Sequence, residues 1–306
     1  MKHLFIVNPA AGKRDPTACV KEQAARIFAG RSGDCEVYVT KAPRDAEGVV
    51  REAALSCGDL RVYACGGDGT LNECASGAAG LPNVAVTHFP CGTGNDFIKT
   101  FGGDAALFHT LDLLVDGFVR PLDLVAVGGR FALNICSVGV DARIGTNVHR
   151  YSKLPLVGGA AGYAVSVLAE FIKGLSQPME VSCGGRTFSG EITLVCVCNG
   201  RYYGGGFNPA PEADPDDGVL EFRVVPKVSR LTFARLIRDY ARGLSNRHPE
   251  SIICLRGDTL SVTAEEDLVV NLDGEILRVK SAVFSALPGA LRFLFPRGTT
   301  FFDNNP

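Results

Sequence analysis

The stretch RVYACGGDGTLNE, residues 61–73, decides the fold class. Arg61–Cys65 is an apolar run typical of a buried strand, and a helical pattern begins at Thr70. The glycines between them let the backbone approach a phosphate, and the start of the helix supplies free N–H groups. Asp68 lies inside this loop, where a carboxylate repels phosphate unless a cation lies between them. The stretch therefore predicts a phosphate and cation site; a tight turn with an Asp or Thr cap is the alternative.

The same order of strand, loop and helix fills the first third of the chain. Strands are predicted at 3–8, 35–40 and 83–89, and helices at 15–29, 45–57 and 70–79. This alternation predicts an α/β fold with a doubly wound parallel sheet, which binds ligands at the carboxyl ends of its strands. Two more loops of small residues, NPAAG at 8–12 and GTGNDF at 92–97, follow strands at that edge. We therefore expect three loops to face one cleft.

The pattern changes after Asp123, where short strand-like runs predominate. These runs lie at 124–127, 130–136, 179–183, 192–199, 219–225, 260–264, 268–272 and 276–285. Helical stretches interrupt them only around 162–173 and 231–243. Many short strands with few crossovers are typical of an antiparallel β-sandwich or half-barrel. We therefore predict an α/β domain over 1–122 and a β-rich domain over 123–285, with 286–306 as a segment that could return to the first domain.

Two turns in the second half are rich in acids. LDGE at 272–275 lies between two strands, and Asp-Gly is a strong hairpin signal, so a plain hairpin turn is one interpretation. Phosphoryl transfer to an alcohol needs a group that takes the hydroxyl proton and a metal that neutralises phosphate charge, and the carboxylates of this turn suit both. DPDDGV at 214–219 groups three acids, which are the oxygen ligands that hard cations prefer; a solvated turn is the alternative.

The composition excludes several classes of protein. The 306 residues are 46% apolar and carry a net charge of −2, which disfavours a nucleic-acid partner. Eleven cysteines without a C-x-x-C pair indicate neither a disulfide framework nor a zinc site, and favour a reducing cytoplasm. The uncharged, mostly apolar run at 154–169 is shorter than a spanning helix, so any membrane contact is expected to be peripheral. The standard Rossmann, P-loop, zinc-protease and α/β-hydrolase motifs are absent.

The ordered set of motifs resembles the diacylglycerol kinase catalytic-domain family, which includes bacterial lipid kinases, sphingosine kinases and ceramide kinases. The motifs are NPAAGK at 8–13, GGDGTLNE at 66–73, GTGNDF at 92–97, Asp123, DDG at 216–218 and LDGE at 272–275. GGDGT alone is shared with NAD kinases and phosphofructokinases. The resemblance implies a first domain of that NAD kinase and phosphofructokinase type, followed by an antiparallel β-sandwich domain, with ATP in the cleft between them.

The same resemblance implies roles for individual residues. The positions that match the family's nucleotide site are Asn8, Pro9, Ala10, Ala11, Gly12, Thr40, Gly66, Gly67, Asp68, Gly69, Thr70, Leu71, Asn72 and Thr93. Asp273 and Glu275 match the carboxylates assigned to base catalysis, and which of them takes the proton is left open. Asp68 and Asp123 match acids that join Asp273 around a catalytic Mg²⁺. A structural Mg²⁺ is implied at Asp217, with Asp214 and Val219 contributing through backbone carbonyls.

The resemblance implies a Mg²⁺-dependent transfer of the ATP γ-phosphate to a lipid hydroxyl such as that of diacylglycerol. Lys13 and Arg14 flank the first loop, and Arg150 and Lys153 precede the apolar stretch at 154–172. Basic residues in such positions suit an anionic membrane surface. Solvated charges beside a core helix are the alternative. We therefore expect peripheral contact with the cytoplasmic face of a membrane. An NAD kinase-like enzyme and a non-catalytic sensor are the competing functions. The acceptor lipid, the choice of nucleotide and the formation of a homodimer stay open.

Overall fold

The computed structural model describes residues 1–31, 33–144 and 174–303. Its first part is an α/β layer of four parallel strands in the spatial order β4-β3-β1-β2. The strands are β1 (Lys2–Val7), β2 (Asp34–Val39), β3 (Leu60–Gly66) and β4 (Val84–Pro90). The helices are α1 (Thr17–Phe28), α2 (Asp45–Ser56), α3 (Asp68–Ala78) and α4 (Leu111–Val115), with a 3₁₀ segment at Phe97–His109. The predicted parallel α/β layer is confirmed.

The second part is antiparallel. Its strands are β5 (Phe118–Val127), β6 (Arg130–Ala132), β7 (Ile135–Gly139), β8 (Gln177–Cys183), β9 (Arg186–Cys198), β10 (Leu220–Pro226), β11 (Ile253–Gly257), β12 (Thr259–Leu272) and β13 (Glu275–Phe295). The second part also contains helix α5 (Arg230–Tyr240) and 3₁₀ segments at Ser245–Arg247 and Phe301–Asp303. The spatial order β11-β10-β9-β7-β12-β13 continues into β4, so hydrogen bonds run through both parts. The helical stretch expected around 162–173 lies outside the described residues.

The long strand β13 connects the two parts. It pairs with β12 from Glu275 to Ser285, and then with β5 from Ser285 to its end. Its last residues enter the core of the α/β layer, where Phe293 and Phe295 contact Phe101 and Phe108. A single parallel pairing, Phe293 with Val86, joins it to β4. The domain boundary near Leu122 stays a prediction, because β5 runs through that position without a break.

Candidate active site

Three loops at the carboxyl ends of the parallel strands touch one another. The N–H of Asn8 donates to the carbonyl of Cys65 (3.0 Å), and the N–H of Gly92 donates to the carbonyl of Gly66 (3.0 Å). Thr40 joins the same edge, because its N–H donates to the carbonyl of Val7 (2.9 Å). The loops converge because the strands that precede them end in register. Segments 8–12, 66–72 and 91–95 therefore form one continuous surface, as parallel strands predict.

Two glycines make this close approach possible. A Cβ atom at Gly92 would collide with the backbone of Gly67, so a side chain there would push the second loop away from the first. A Cβ atom at Gly66 would overlap the side chain of Thr70, whose hydroxyl accepts a hydrogen bond from Asn8 Nδ2 (3.2 Å). The glycines thus let the backbones of the loops lie close together, and a phosphate chain can approach the N–H groups at this edge.

Helix α3 begins at Asp68, and the residue before it, Gly67, provides no side-chain cap. The first-turn N–H groups of a helix without such a cap are available to an anion. Of the residues matched to the nucleotide site, Ala10, Gly12, Gly69 and Thr93 are exposed, Asn8, Pro9, Thr40, Gly67 and Asp68 are half-buried, and Ala11, Gly66, Thr70, Leu71 and Asn72 are buried. Leu71 belongs to the apolar core, so only its backbone is suited to a polar ligand.

Asp273 lies in a two-residue hairpin turn between β12 and β13. Both turn residues have positive φ, 49° at Asp273 and 97° at Gly274, as hairpin turns of type I′ require. The Asp273 carboxylate accepts three backbone hydrogen bonds, from Leu133 (2.7 Å), Asn134 (2.9 Å) and Ile135 (2.8 Å). Burial and, to a smaller extent, the nearby charge of Asp68 raise the pKa of Asp273 to about 6, although the three N–H donors act in the opposite direction. The hairpin interpretation and a functional carboxylate are therefore compatible.

Glu275, two residues further on, has different surroundings. Its carboxylate contacts Arg130 (3.4 Å) and Arg44 (3.9 Å), which belong to opposite parts of the chain. Arg44 also pairs with Glu47 (2.8 Å), and its N–H donates to Glu73 (2.9 Å). Asp273 and Glu275 thus point to different partners: Asp273 is held by backbone N–H groups, whereas Glu275 links two arginines across the junction between the α/β layer and the antiparallel sheet.

The structure places Asp123 beside the acidic turn at 214–218. Its carboxylate accepts hydrogen bonds from the N–H groups of Gly218 (2.7 Å) and Gly289 (2.8 Å), and its own N–H donates to Pro215 (2.7 Å). Burial raises its pKa, and the charges of Asp217 and Asp214 add to this effect. The family resemblance groups Asp123 with Asp68 and Asp273, and this role stays a prediction; in the structure, the contacts of Asp123 connect the acidic turn to β5 and β13.

Within the acidic turn the carboxylates crowd one another. Burial and the neighbouring carboxyl of Asp216 raise the pKa of Asp214 to about 6. Asp217 accepts the N–H of Val219 (2.9 Å) and pairs with Arg256, while Asp216 contacts Arg120 (3.7 Å). Among the residues that the structure describes, no three His, Cys, Asp or Glu side chains converge as metal ligands do. Carboxylate oxygens are nevertheless the type of ligand that Mg²⁺ prefers. They are present in the acidic turn and also at Asp68 and Asp273, where two like charges lie near each other.

A cavity of about 290 Å³ extends from Asp68 and Asp273 into the antiparallel part. Its polar end also includes Asp96, Asn134 and Asn271. Apolar side chains form most of the remaining wall: Ile135, Val140, Ile144, Leu194, Phe207, Val225, Phe233, Leu236, Ile237 and Ile252. A compact group of carboxylates thus opens onto a space suited to hydrocarbon.

Comparisons with known proteins agree with this arrangement. Residues 2–127 match the model of the diacylglycerol kinase catalytic domain, and residues 134–295 match that of the YegS C-terminal NAD kinase β-sandwich-like domain. A protein named probable lipid kinase YegS-like, from Pseudomonas aeruginosa (strain UCBPP-PA14), is 34% identical over 99% of this chain and 97% of its own length. The chain belongs to the diacylglycerol kinase family of lipid kinases.

Two further relatives support the assignment. A diacylglycerol kinase from Bacillus subtilis (strain 168) is 29% identical over 89% of this chain and 88% of its own length. The crystal structure of a putative diacylglycerol kinase from Bacillus anthracis str. Sterne superposes with a TM-score of 0.75 at 26% identity, and covers 97% of both chains. The family relationship and the two-part fold predicted from the sequence are thereby confirmed.

Sequence reasoning missed several cavity residues of this lipid kinase family member. The motif GTGNDF predicts no role for Asp96, yet its buried carboxylate accepts the N–H of Gly205 (2.7 Å) and pairs with Lys99. Asn134 carries two backbone contacts: its N–H donates to Asp273, and its Nδ2 donates to the carbonyl of Tyr202 (2.7 Å). The local signal for Asn134 is its polar side chain between the apolar residues 131–133 and 135–136.

Proposed function

We propose that this protein transfers the γ-phosphate of ATP to the hydroxyl of a lipid such as diacylglycerol, with Mg²⁺ as the cofactor. The observation that carries this proposal is the cavity, because its polar end presents Asp68 and Asp273 and its body is apolar. A lipid fits this division: its hydroxyl belongs at the carboxylates and its chain belongs against the apolar wall. The family relationship supports a kinase, and the shape and chemistry of the cavity support a lipid as its acceptor.

The three loops are the proposed ATP site. The first-turn N–H groups of α3 and the surrounding glycine loops would hold the phosphates. Asp68 is the residue placed to hold Mg²⁺, which when bound would offset the charge of the phosphates. Thr40, beside Val7, closes the site on the side of β2. These assignments follow from where the strands end, and they leave the γ-phosphate at the mouth of the cavity.

Asp273 is the proposed proton acceptor. A carboxylate has about four lone-pair sites, and the three backbone donors leave one that can accept a hydroxyl proton. A pKa of about 6 suits a general base near neutral pH. The lipid O–H bond breaks toward Asp273, its oxygen bonds to the γ-phosphorus, and the bond between that phosphorus and the bridging oxygen breaks as ADP leaves. Glu275 has no such place in the cavity wall.

The proposed role of the cavity in lipid binding can be tested with a substitution that fills the cavity. Leu194 on β9 faces the cavity, whereas its neighbour Val195 faces the other core, because successive side chains of a strand alternate. Leu194→Trp should raise KM for the lipid at least tenfold, about 1.4 kcal/mol, and leave ATP affinity unchanged. Val195→Phe disturbs packing to a similar degree on the opposite face and is the control. Equal effects of both variants on lipid KM would contradict the proposal.

The apolar wall of the cavity disfavours an NAD kinase-like function. The polar groups of a nucleotide acceptor would lie without hydrogen-bond partners against ten apolar side chains. A labelling assay compares these functions directly. The protein is incubated with labelled ATP and one acceptor at a time: diacylglycerol, ceramide, a sphingoid base, phosphatidylglycerol or a polyprenol in detergent micelles, or NAD. Label in a lipid, lost on chelation of Mg²⁺, is expected. Label in NAD would favour the competing enzyme, and nucleotide binding without transfer would favour a sensor.

We further propose that α5 contacts the membrane that supplies the lipid. Leu231, Arg235 and Arg238 share one face of this helix at spacings of four and three residues, and all three are exposed, Leu231 to 62%. Lys227, just before the helix, is exposed as well. The opposite face of α5 lines the cavity through Phe233, Leu236 and Tyr240. A basic face beside the wall of the lipid cavity suits the anionic cytoplasmic surface of a membrane.

Lys13 and Arg14 are also exposed, at the first loop, whereas Arg150 and Lys153 lie outside the described residues. Over the described ranges, no helix has the length and apolar character needed to cross a bilayer. A vesicle sedimentation experiment separates the two basic surfaces. Arg235→Glu with Arg238→Glu should weaken binding to phosphatidylglycerol vesicles at least tenfold, given about 1 kcal/mol per charge. A larger loss for Lys13→Glu with Arg14→Glu would move the contact to the first loop.

A further inference from the structure

A second carboxylate lies in the cavity wall away from the polar end. Asp141 follows strand β7 by two residues and lines the cavity among Val140, Ile144 and Leu194. These three apolar residues belong to a separate small core that also contains Leu236. A carboxylate in such surroundings is costly to bury unless its oxygens are hydrogen-bonded. The proposed transfer reaction does not explain why a carboxylate is buried at this position.

One oxygen of this carboxylate lacks a partner. Oδ2 of Asp141 is shielded from solvent and accepts no hydrogen bond from any residue in the described ranges. Burial raises the pKa of Asp141, and the hydroxyls of Ser137 and Tyr203 act in the opposite direction. Leaving a buried acceptor unsatisfied costs about 1–3 kcal/mol. A ligand that brings a hydrogen-bond donor to Oδ2 would recover this cost.

Two tyrosines complete the polar group. The hydroxyls of Tyr203 and Tyr240 lie 3.4 Å apart, and both residues line the cavity. Burial raises the pKa of each phenol, so both are neutral and can donate or accept. Asp141, Tyr203 and Tyr240 thus form a small polar subsite in an otherwise apolar wall. Such a subsite fixes the orientation of a ligand and selects among ligands of equal hydrophobicity.

The subsite is close to the reacting end. Ile135, whose N–H holds Asp273, is two residues before Ser137 on the same strand. Two residues of a strand span about 6.6 Å. The side chain of Ser137 is hydrogen-bonded to Asp141, and Asp141 and Asp273 line the same cavity, so one ligand in that cavity can reach both carboxylates.

We propose that Asp141 accepts a hydrogen bond from a second donor, a hydroxyl or a protonated amine, carried by the lipid next to the hydroxyl that is phosphorylated. The inference rests on the proposed lipid kinase function and narrows its substrate class. Diacylglycerol has one hydroxyl, and its ester carbonyls only accept hydrogen bonds, so it leaves Oδ2 of Asp141 unpaired. Single-chain diols such as monoacylglycerols, and long-chain amino alcohols, satisfy both carboxylates.

The test compares lipids that differ in one donor. The probes are 1-monoacylglycerol, its 2-O-methyl ether, a 2-amino-1-alkanol and diacylglycerol, with matched chains. Wild-type kcat/KM should be at least tenfold higher for the monoacylglycerol than for its ether, a factor that corresponds to about 1.4 kcal/mol. Asp141→Leu should reduce this ratio to near one, and Asp267→Leu, which removes an exposed acid of β12, should keep it. A wild-type ratio near one, or an unchanged ratio in Asp141→Leu, overturns the proposal.

Asp141→Asn separates the two kinds of donor. Asparagine keeps an acceptor oxygen without the charge, so it should retain the preference for the diol and lose that for the ammonium lipid. Calorimetric binding of the same lipids without ATP gives a readout that does not require turnover. One result would separate the two proposals: no lipid is phosphorylated, but the wild type binds the monoacylglycerol more tightly than its ether and Asp141→Leu does not. The kinase proposal would then fail and the subsite proposal would hold. Equal binding of the two lipids to the wild type overturns the subsite. Unchanged melting temperatures establish that the variants are folded.

Discussion

The hairpin turn at 272–275 and the acidic turn at 214–219 each contain an aspartate whose pKa is raised to about 6. The causes differ after the common effect of burial. Asp273 is surrounded by backbone N–H donors and opens onto the cavity, with Asp68 as its charged neighbour. Asp214 is raised by another carboxyl of its own turn, whose other acids pair with Arg256 and Arg120. Two acid-rich turns therefore support different roles: the carboxylate of Asp273 is presented to a ligand, whereas the acidic turn is bound to the surrounding strands.

The largest difference between the two turns is expected when one acid of each turn is neutralised. Asp273→Asn should lower kcat by about 10²–10⁴-fold, as the loss of a general base does. Asp217→Asn, the matched change in the acidic turn, should lower kcat less than tenfold when Mg²⁺ is saturating. Initial rates with labelled ATP and a lipid in micelles measure both. Similar losses in the two variants would show that the turns do not differ in role.

The next effect concerns Asp68, which faces Asp273 across the polar end. Asp68→Ala should lower kcat more than tenfold, equivalent to about 1.4 kcal/mol of barrier, because a cation near the phosphates loses a ligand. Its carboxylate also accepts the N–H of Phe97 (3.0 Å), so the melting temperature must be recorded beside the rate. A folded Asp68→Ala enzyme that keeps more than a tenth of wild-type kcat would contradict a metal role for this residue.

A smaller effect distinguishes the two acids of the hairpin. Glu275→Gln removes the charge that links Arg44 and Arg130, and these half-exposed pairs contribute little individually. We expect kcat to fall less than tenfold, well short of the Asp273→Asn loss. Calorimetry of ATP binding should show similar affinity for both variants and the wild type. A Glu275→Gln loss as large as that of Asp273→Asn would make Glu275 the proton acceptor.

The smallest effect is on stability and tests the structural Mg²⁺ proposed at Asp214, Asp217 and Val219. Added Mg²⁺ at 100 times its Kd would stabilise the wild type by about 2.7 kcal/mol, and Asp217→Asn should respond less. Asp267→Asn, an exposed acid on β12, is the control and should respond as the wild type does. Melting curves with and without Mg²⁺ measure this. Equal shifts in the wild type and Asp217→Asn would remove the structural metal.

Local sequence patterns predicted the strands, loops and helices whose formation depends on residues close together in the chain. The strand, glycine loop and helix at 60–78 follow from apolar runs and glycine positions, and so do the loops at the same edge. Strand β11 was missed, because Ile253–Gly257 is short, half-exposed and mixed in polarity. Its pairing with β10 supplies the order that its own sequence does not indicate.

Long-range contacts explain the remaining gaps. Asp123 binds Gly218 and Gly289, which are 95 and 166 residues away, so no spacing in the sequence could assign it to the acidic turn. Glu275 could not be separated from Asp273 for the same reason, since Arg130 and Arg44 are distant in the chain. Asp141 lies in an ordinary apolar stretch, and only the cavity shows that its oxygen faces a ligand space.

We propose above that the carboxylates of Asp68 and Asp273 serve phosphate transfer to a lipid bound in the apolar cavity. The most direct measurement is the position of the label after incubation of the purified protein with [γ-³²P]ATP, Mg²⁺ and micellar lipid alcohols. We predict label in a lipid phosphate with wild-type protein, and its loss with Asp273→Asn at unchanged ATP affinity. Label that appears only in inorganic phosphate or NAD, or lipid labelling that survives in Asp273→Asn, would contradict the account.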